Sequence, residues 1–459
     1  MTNNTKIIFW SITVALGGFL FGFDTAVISG AEQAIEQVWE LSVLEHGLTV
    51  SIALIGTVVG AMLGGWPSDA IGRKKTLFWI AALYLVSALG SALAPEWYSF
   101  MFFRFLGGLG VGASSVAAPM YISEITPAEK RGKMVGLFQF NIVLGILIAY
   151  LSNYLLSGIG GTAWRWMLGV EAIPALAFMV LVSYVPRSPR WLVIKRGALE
   201  EARAVLLQIN PDKAEVSLKA IIASGEDEMQ KEPMDSLFSG KYKFPVMLAI
   251  VFAVFNQFSG INAIIYYAPR IFEMAGLGKS SALLSSAGVG LVNLIFTMIG
   301  LALIDKAGRR KLMFIGSLGL ITTLLMVAWS FAGERVSGEL VPYFLFAYIA
   351  SFGMSQGAVI WVFISEIFPN RVRAAGQALG SFTHWILAAL VSFSFPYVSS
   401  TLGPANTFLF FAGMMVLQLL FVWRIMPETK GTSLEDVGRE STGQTKSAAK
   451  KHASQPLAE

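Results

Sequence analysis

The chain has 459 residues, of which 55% are hydrophobic and 14% charged, with no cysteine and a formal net charge of +5; its mean hydropathy is +0.64. Soluble domains carry about 25% charged residues, so water is not the main solvent of this chain. Without cysteine there are no disulfides and no thiol chemistry, and the small positive charge gives no reason to invoke nucleic acid.

A helix needs about 20 apolar residues to cross the hydrocarbon. Twelve runs qualify: about 7–30, 47–68, 76–95, 100–123, 134–156, 164–185, 244–268, 282–304, 312–333, 341–365, 374–399 and 405–426. The fold class is therefore an all-α membrane protein of twelve spans. A charged stretch divides them into an N-terminal half (1–186), a linker (187–243), a C-terminal half (244–426) and a polar tail (427–459) expected to be largely disordered.

Span 1 follows Lys6 but is too long for a signal-peptide core and lacks a convincing cleavage site. It also holds Asp24. An acid at this depth costs roughly 2.5–3.5 kcal/mol even on the lenient insertion scale, so it should have a partner or a task. Phe21, Asp24 and Ile28 share one helical stripe, and the partner expected for Asp24 is Arg104 at the start of span 4. The alternative is a permanent ion pair that only fastens span 1 to span 4. Glycines in spans 2 and 4 read as close helix packing.

The loop after span 2 reads PSDAIGRKK (67–75), and the loop after span 8 reads LIDKAGRRK (303–311). A second pair, SEITPAEKR (123–131) and SEIFPNRVR (365–373), follows spans 4 and 10. The offset is 236 residues for Asp69/Asp305 and 242 for Glu124/Glu366, so one half-length unit is used twice. Asp69, Arg73, Glu124 and Arg131, with Asp305, Arg309, Glu366 and Arg373, are the expected charges of a cytoplasmic gate that closes and separates. Their basic excess puts these loops, both termini and the linker in the cytoplasm. The linker reads as two amphipathic helices, 188–209 and 212–228.

Span 7 holds Asn256, Gln257, Asn262 and Tyr266. Amides and aromatic faces suit a neutral, hydroxyl-rich ligand. Gln257 and Asn262 stand about 140° apart on an unbroken helix, so they converge only if Ser259-Gly260 interrupts it. Span 11 reads HWILAAL from His384 and Trp385, and His384 is taken as the one intramembrane histidine, expected to hydrogen-bond ligand or neighbour rather than relay protons. No phosphate-binding loop, nucleophile–base pair or metal cluster is apparent, so the expectation is no enzyme, no cofactor and no metal.

The duplicated Asp-x-x-Gly-Arg motif resembles that of the major facilitator superfamily. VPRSPRWL (185–192), NQFSGINAIIYYAP (256–269) and PETKG (427–431) resemble its sugar porter family over residues 9–431. The resemblance implies two pseudo-symmetric six-helix halves and alternating access. It implies that Phe21, Gln139, Asn293 and Trp361 join the span 7 and span 11 residues at the sugar. FGFD at 21–24 matches the family's proton symporters, whereas facilitators resemble FGYN. The expected activity is thus proton-coupled symport of a monosaccharide across the cell membrane by a monomer, with the lipid bilayer as its other partner. An uncoupled sugar or polyol facilitator and a transport-silent sensor are the alternatives.

Four departures bear on substrate and gating: Arg187 replaces a family Glu, Asn256 a Gln, and Ile146 and Ala388 stand where amides are frequent. Span 10 lacks the usual proline at 358, which shifts its hinge to Gly353 and Gly357.

Overall fold

The computed structural model describes residues 3–127, 130–230, 237–332, 338–369 and 372–430, apart from the side chains of 3, 4, 131 and 226–230. Twelve apolar helical spans are present: Thr5–Val38, Val43–Ala70, Arg73–Leu93, Trp97–Ile125, Gly132–Ile159, Ala163–Val182, Gly240–Met274, Lys279–Ala307, Arg309–Ala332, Gly338–Glu366, Arg373–Leu402 and Pro404–Arg424. They are numbered spans 1 to 12. Among the described residues there is no strand, as expected where every backbone polar group must be satisfied without water.

The duplication in sequence is a duplication in packing. Span 1 packs on span 5 and span 3 on span 6; span 7 packs on span 11 and span 9 on span 12. Between the halves, span 2 lies on span 11 and span 5 on span 8. Glycine makes these seams tight: a Cβ at Gly47 would sit 2.2 Å from the Phe393 carbonyl oxygen, and one at Gly290 would sit 2.8 Å from the Leu147 Cα. Lipid supplies no hydrophobic drive between helices, so such close backbone approach is what holds them. The expected glycine packing of spans 2 and 4 is present at Gly108, where a Cβ would meet the Ala53 carbonyl at 1.9 Å. It does not extend to Gly65, which faces open space.

Two interruptions, in spans 7 and 10, bear on the site. Span 7 consists of Lys243–Gln257 and Ile261–Met274, separated at Gly260 with φ +88°, a left-handed conformation that side-chain-bearing residues adopt at a cost. The Tyr348 hydroxyl holds the break by donating to the Ser259 carbonyl at 2.9 Å. Span 10 passes through a π-helical segment at Gly353–Gly357, between the two glycines expected to act as its hinge.

The linker forms three helices rather than two: Pro189–Arg196, Leu199–Ile209 and Ala214–Gln230. The expected helix over 188–209 ends early because Gly197, at φ +63°, caps the first. Trp191, Leu192, Ala202, Val205 and Leu206 form its small core, and the Trp191 indole N–H donates to the Asp69 carbonyl at 2.8 Å. The tail from 431 onward lies outside the described residues.

Candidate functional site

The break in span 7 brings its amides together. Asn262 Nδ2 donates to Gln257 Oε1 at 2.6 Å, and Gln257 Nε2 donates to Asn256 Oδ1 at 3.0 Å. The same Nε2 lies 3.1 and 3.2 Å from the two ring nitrogens of His384 in span 11. The His384 ring centroid is 4.8 Å from those of Trp361 and Trp385, and Trp385 meets Phe21 of span 1 at 5.5 Å. Seven of the ten expected ligand residues thus form one connected group. Trp361 leaves 36% of its surface exposed within span 10, as an aromatic face offered to a ligand would.

The other three stand apart from that network. Tyr266 is buried, with its side chain hydrogen-bonded to Thr25. Asn293 accepts from Thr297 at 3.2 Å within span 8. Gln139 is half-buried and has no hydrogen-bond partner among the described residues.

Asp24 and Arg104 form the expected pair. An Arg104 Nη1 hydrogen bond and ion pair join it to Asp24 Oδ1, Nη2 donates to the Asp24 carbonyl at 3.2 Å, and the residues are 2% and 1% exposed. Sequence reading missed a third ionisable residue. Glu171 of span 6 is 2% exposed, lies within electrostatic reach of both, and has its Oε1 without a hydrogen-bond partner among the described residues. The signal was available: an acid inside an apolar span, as at Asp24.

Where spans 2, 4, 8 and 10 end, the two halves repeat one arrangement. Arg73 donates bidentately to Glu124 at 3.1 and 3.0 Å and bonds Asp69 at 2.9 Å. Arg309 donates bidentately to Glu366 at 3.0 and 2.7 Å and meets Asp305 at 3.1 Å. Glu428 of PETKG accepts the backbone N–H of Arg309 and Arg310 at 2.9 and 3.0 Å, and the Thr429 hydroxyl donates to Glu366 at 2.5 Å. Arg373 departs from expectation: it donates to the Phe368 carbonyl at 3.3 Å and pairs with no carboxylate among the described residues. The Arg131 side chain lies outside the described residues. Arg187 turns to Glu201 of the linker at 3.3 Å.

A second histidine lies within the bounds of a span. His46 lies inside span 2, which begins four residues earlier than its apolar run, and is fully buried with Nε2 2.8 Å from Glu32 Oε2.

Two related six-span bundles with a polar, aromatic-walled cluster at a broken helix between them define a membrane carrier. The family described as sugar (and other) transporter matches residues 10–440. An arabinose-proton symporter of Bacillus subtilis is 38% identical, with 94% of each chain covered, and a D-xylose-proton symporter of Escherichia coli is 34% identical over 95% of this chain and 96% of its own. The inward-open structure of the E. coli xylose transporter superposes with TM-score 0.83 at 33% identity, covering 94% of this chain and 99% of that one. The same transporter bound to 6-bromo-6-deoxy-D-glucose gives 0.77. The chain belongs to the sugar transporter family.

Proposed function

We propose that this carrier is a monosaccharide–proton symporter of the cell membrane, with both termini and the linker in the cytoplasm. The halves 1–186 and 244–426 rock about a sugar held at mid-membrane, chiefly by the C-terminal half: Asn256, Gln257, Asn262, Tyr266, Asn293, Trp361, His384 and Trp385, with Gln139 and Phe21 opposite. Relatives that are arabinose–proton and D-xylose–proton symporters support sugar and proton as the transported pair.

The observation that carries coupling is the position of Asp24. It lies one helical turn after Phe21, whose ring touches Trp385 of the sugar cluster. Its carboxylate holds span 1 to Arg104 of span 4. Charged, Asp24 keeps that pair; protonated, it releases Arg104 and span 1 is freer to move with the aromatic wall it carries. A proton and a sugar therefore act on the same helix, which is the condition for linkage. The clustered charges Asp69, Arg73, Glu124 and Arg131, with Asp305, Arg309, Glu366 and Arg373, serve the cytoplasmic gate.

Proteoliposomes test this directly. Sugar should accumulate when a proton gradient is imposed and should exchange by counterflow without one. Counterflow with no gradient-driven accumulation indicates a facilitator, and neither indicates a sensor.

A further inference from the structure

The outer ends of spans 1, 2 and 7 hold four charged or titratable side chains that the sugar and proton sites do not use. Arg270 of span 7 donates through Nε to Glu32 Oε1 at 3.0 Å and through Nη2 to Glu32 Oε2 at 2.8 Å. The same Nη2 also bonds Glu36, and His46 Nε2 stands 2.8 Å from Glu32 Oε2. Glu32 and His46 are fully buried, while Arg270 and Glu36 form the wetter rim. Glu32, Glu36 and His46 could together hold a cation, but here a guanidinium already pairs both carboxylates. The bond is 238 residues long in sequence and runs from one half to the other.

The cytoplasmic pairs are different in kind. Arg73–Glu124 and Arg309–Glu366 each stay within one half. Among the described residues, side-chain ion pairs between spans of opposite halves occur only at the outer face. There the Tyr150 hydroxyl of span 5 also donates to the Ile265 carbonyl of span 7, at 2.6 Å. The structure is thus fastened outside, in keeping with its likeness to an inward-open relative.

We propose that Arg270, with Glu32, Glu36 and His46, is the extracellular latch of the transport cycle. Opening the outside carries Arg270 away with span 7 and admits water to Glu32. Closing expels that water, and Glu32 is then tolerated in the dry seam because a bidentate guanidinium sits on it beside His46. Removing the arginine penalises the closed state and leaves the open one nearly untouched, so the population shifts outward. These are positioning residues: they touch neither sugar nor the Asp24 proton.

The chain's lack of cysteine makes the test direct. Ile265→Cys, between Asn262 and Arg270 on span 7, reports from outside in intact cells with a membrane-impermeant maleimide. Ser365→Cys, near the cytoplasmic end of span 10, reports in inside-out vesicles. Arg270→Gln should raise outside labelling by roughly 5- to 150-fold, the usual range of a coupling free energy, and should lower inside labelling. Arg270→Lys, which keeps the charge without the fork, should fall between. If Arg270→Gln does not reach the membrane folded, Glu36→Gln at the rim takes its place and should shift labelling in the same direction. Wild-type labelling in a folded variant, or an equal rise on both sides, overturns the latch. The readout needs neither sugar nor a proton gradient, so it stands or falls apart from the symport reading.

Discussion

Gln257 Nε2 faces both ring nitrogens of His384, at 3.1 and 3.2 Å, while its Oε1 accepts from Asn262. The two N–H groups of Nε2 serve Asn256 Oδ1 and the one unprotonated ring nitrogen, so the protonated nitrogen of His384 finds no acceptor there and keeps hydrogen-bonding capacity for a ligand hydroxyl. An unpaired polar group costs about 1–3 kcal/mol. Gln257→Ala or Asn262→Ala should therefore weaken sugar binding by about 5- to 150-fold, measured by calorimetry or competition in counterflow. Wild-type affinity in both would place the sugar elsewhere.

Asp24→Asn keeps size and burial and removes the titrating carboxylate. It should abolish accumulation against a gradient while counterflow continues. Concentrative uptake by Asp24→Asn in proteoliposomes would disprove the coupling assignment.

Glu366 accepts two bonds from Arg309 and one from Thr429, so Glu366→Gln removes the charge behind all three in a partly buried knot. Stability should fall by about 1–3 kcal/mol, seen as a lower unfolding temperature in detergent. Glu428→Gln, which weakens the cap on the Arg309 and Arg310 N–H groups, should cost less.

Among the described residues Arg373 has no carboxylate partner. Arg373→Ala should leave the thermal stability of this state unchanged and raise the accessibility of cytoplasmic cavity cysteines, because the ion pairs it could form belong to the opposite state. A marked loss of stability with unaltered accessibility would make it a structural residue only.

Gly260 needs φ +88°, and a Cβ there would lie 2.6 Å from the Phe411 ring. Gly260→Ala should cost upward of about 1–2 kcal/mol from the left-handed backbone alone. Its effect should appear as weakened sugar binding in a correctly inserted protein, since the break it maintains is what brings Asn262 to Gln257.

Much of this was legible in one dimension. Apolar run length gives the twelve spans because the hydrocarbon has a fixed thickness, and the repeated Asp69/Asp305 and Glu124/Glu366 motifs give the two halves. The cost of a buried acid singles out Asp24 and leads to Arg104. The angular misfit of Gln257 and Asn262 requires the interruption found at Gly260. Local rules fail where contacts run between distant segments. His46 is buried against Glu32 and the Tyr267 ring, although its own neighbourhood reads as a loop, and Arg270 looks like an ordinary loop charge until span 7 is set against span 1. Arg373 matches Arg131 in sequence, yet it meets the Phe368 carbonyl and, among the described residues, no carboxylate. Periodicity and composition determine what one helix needs from its surroundings; only the packing of the two halves decides which residue supplies it, and in which state.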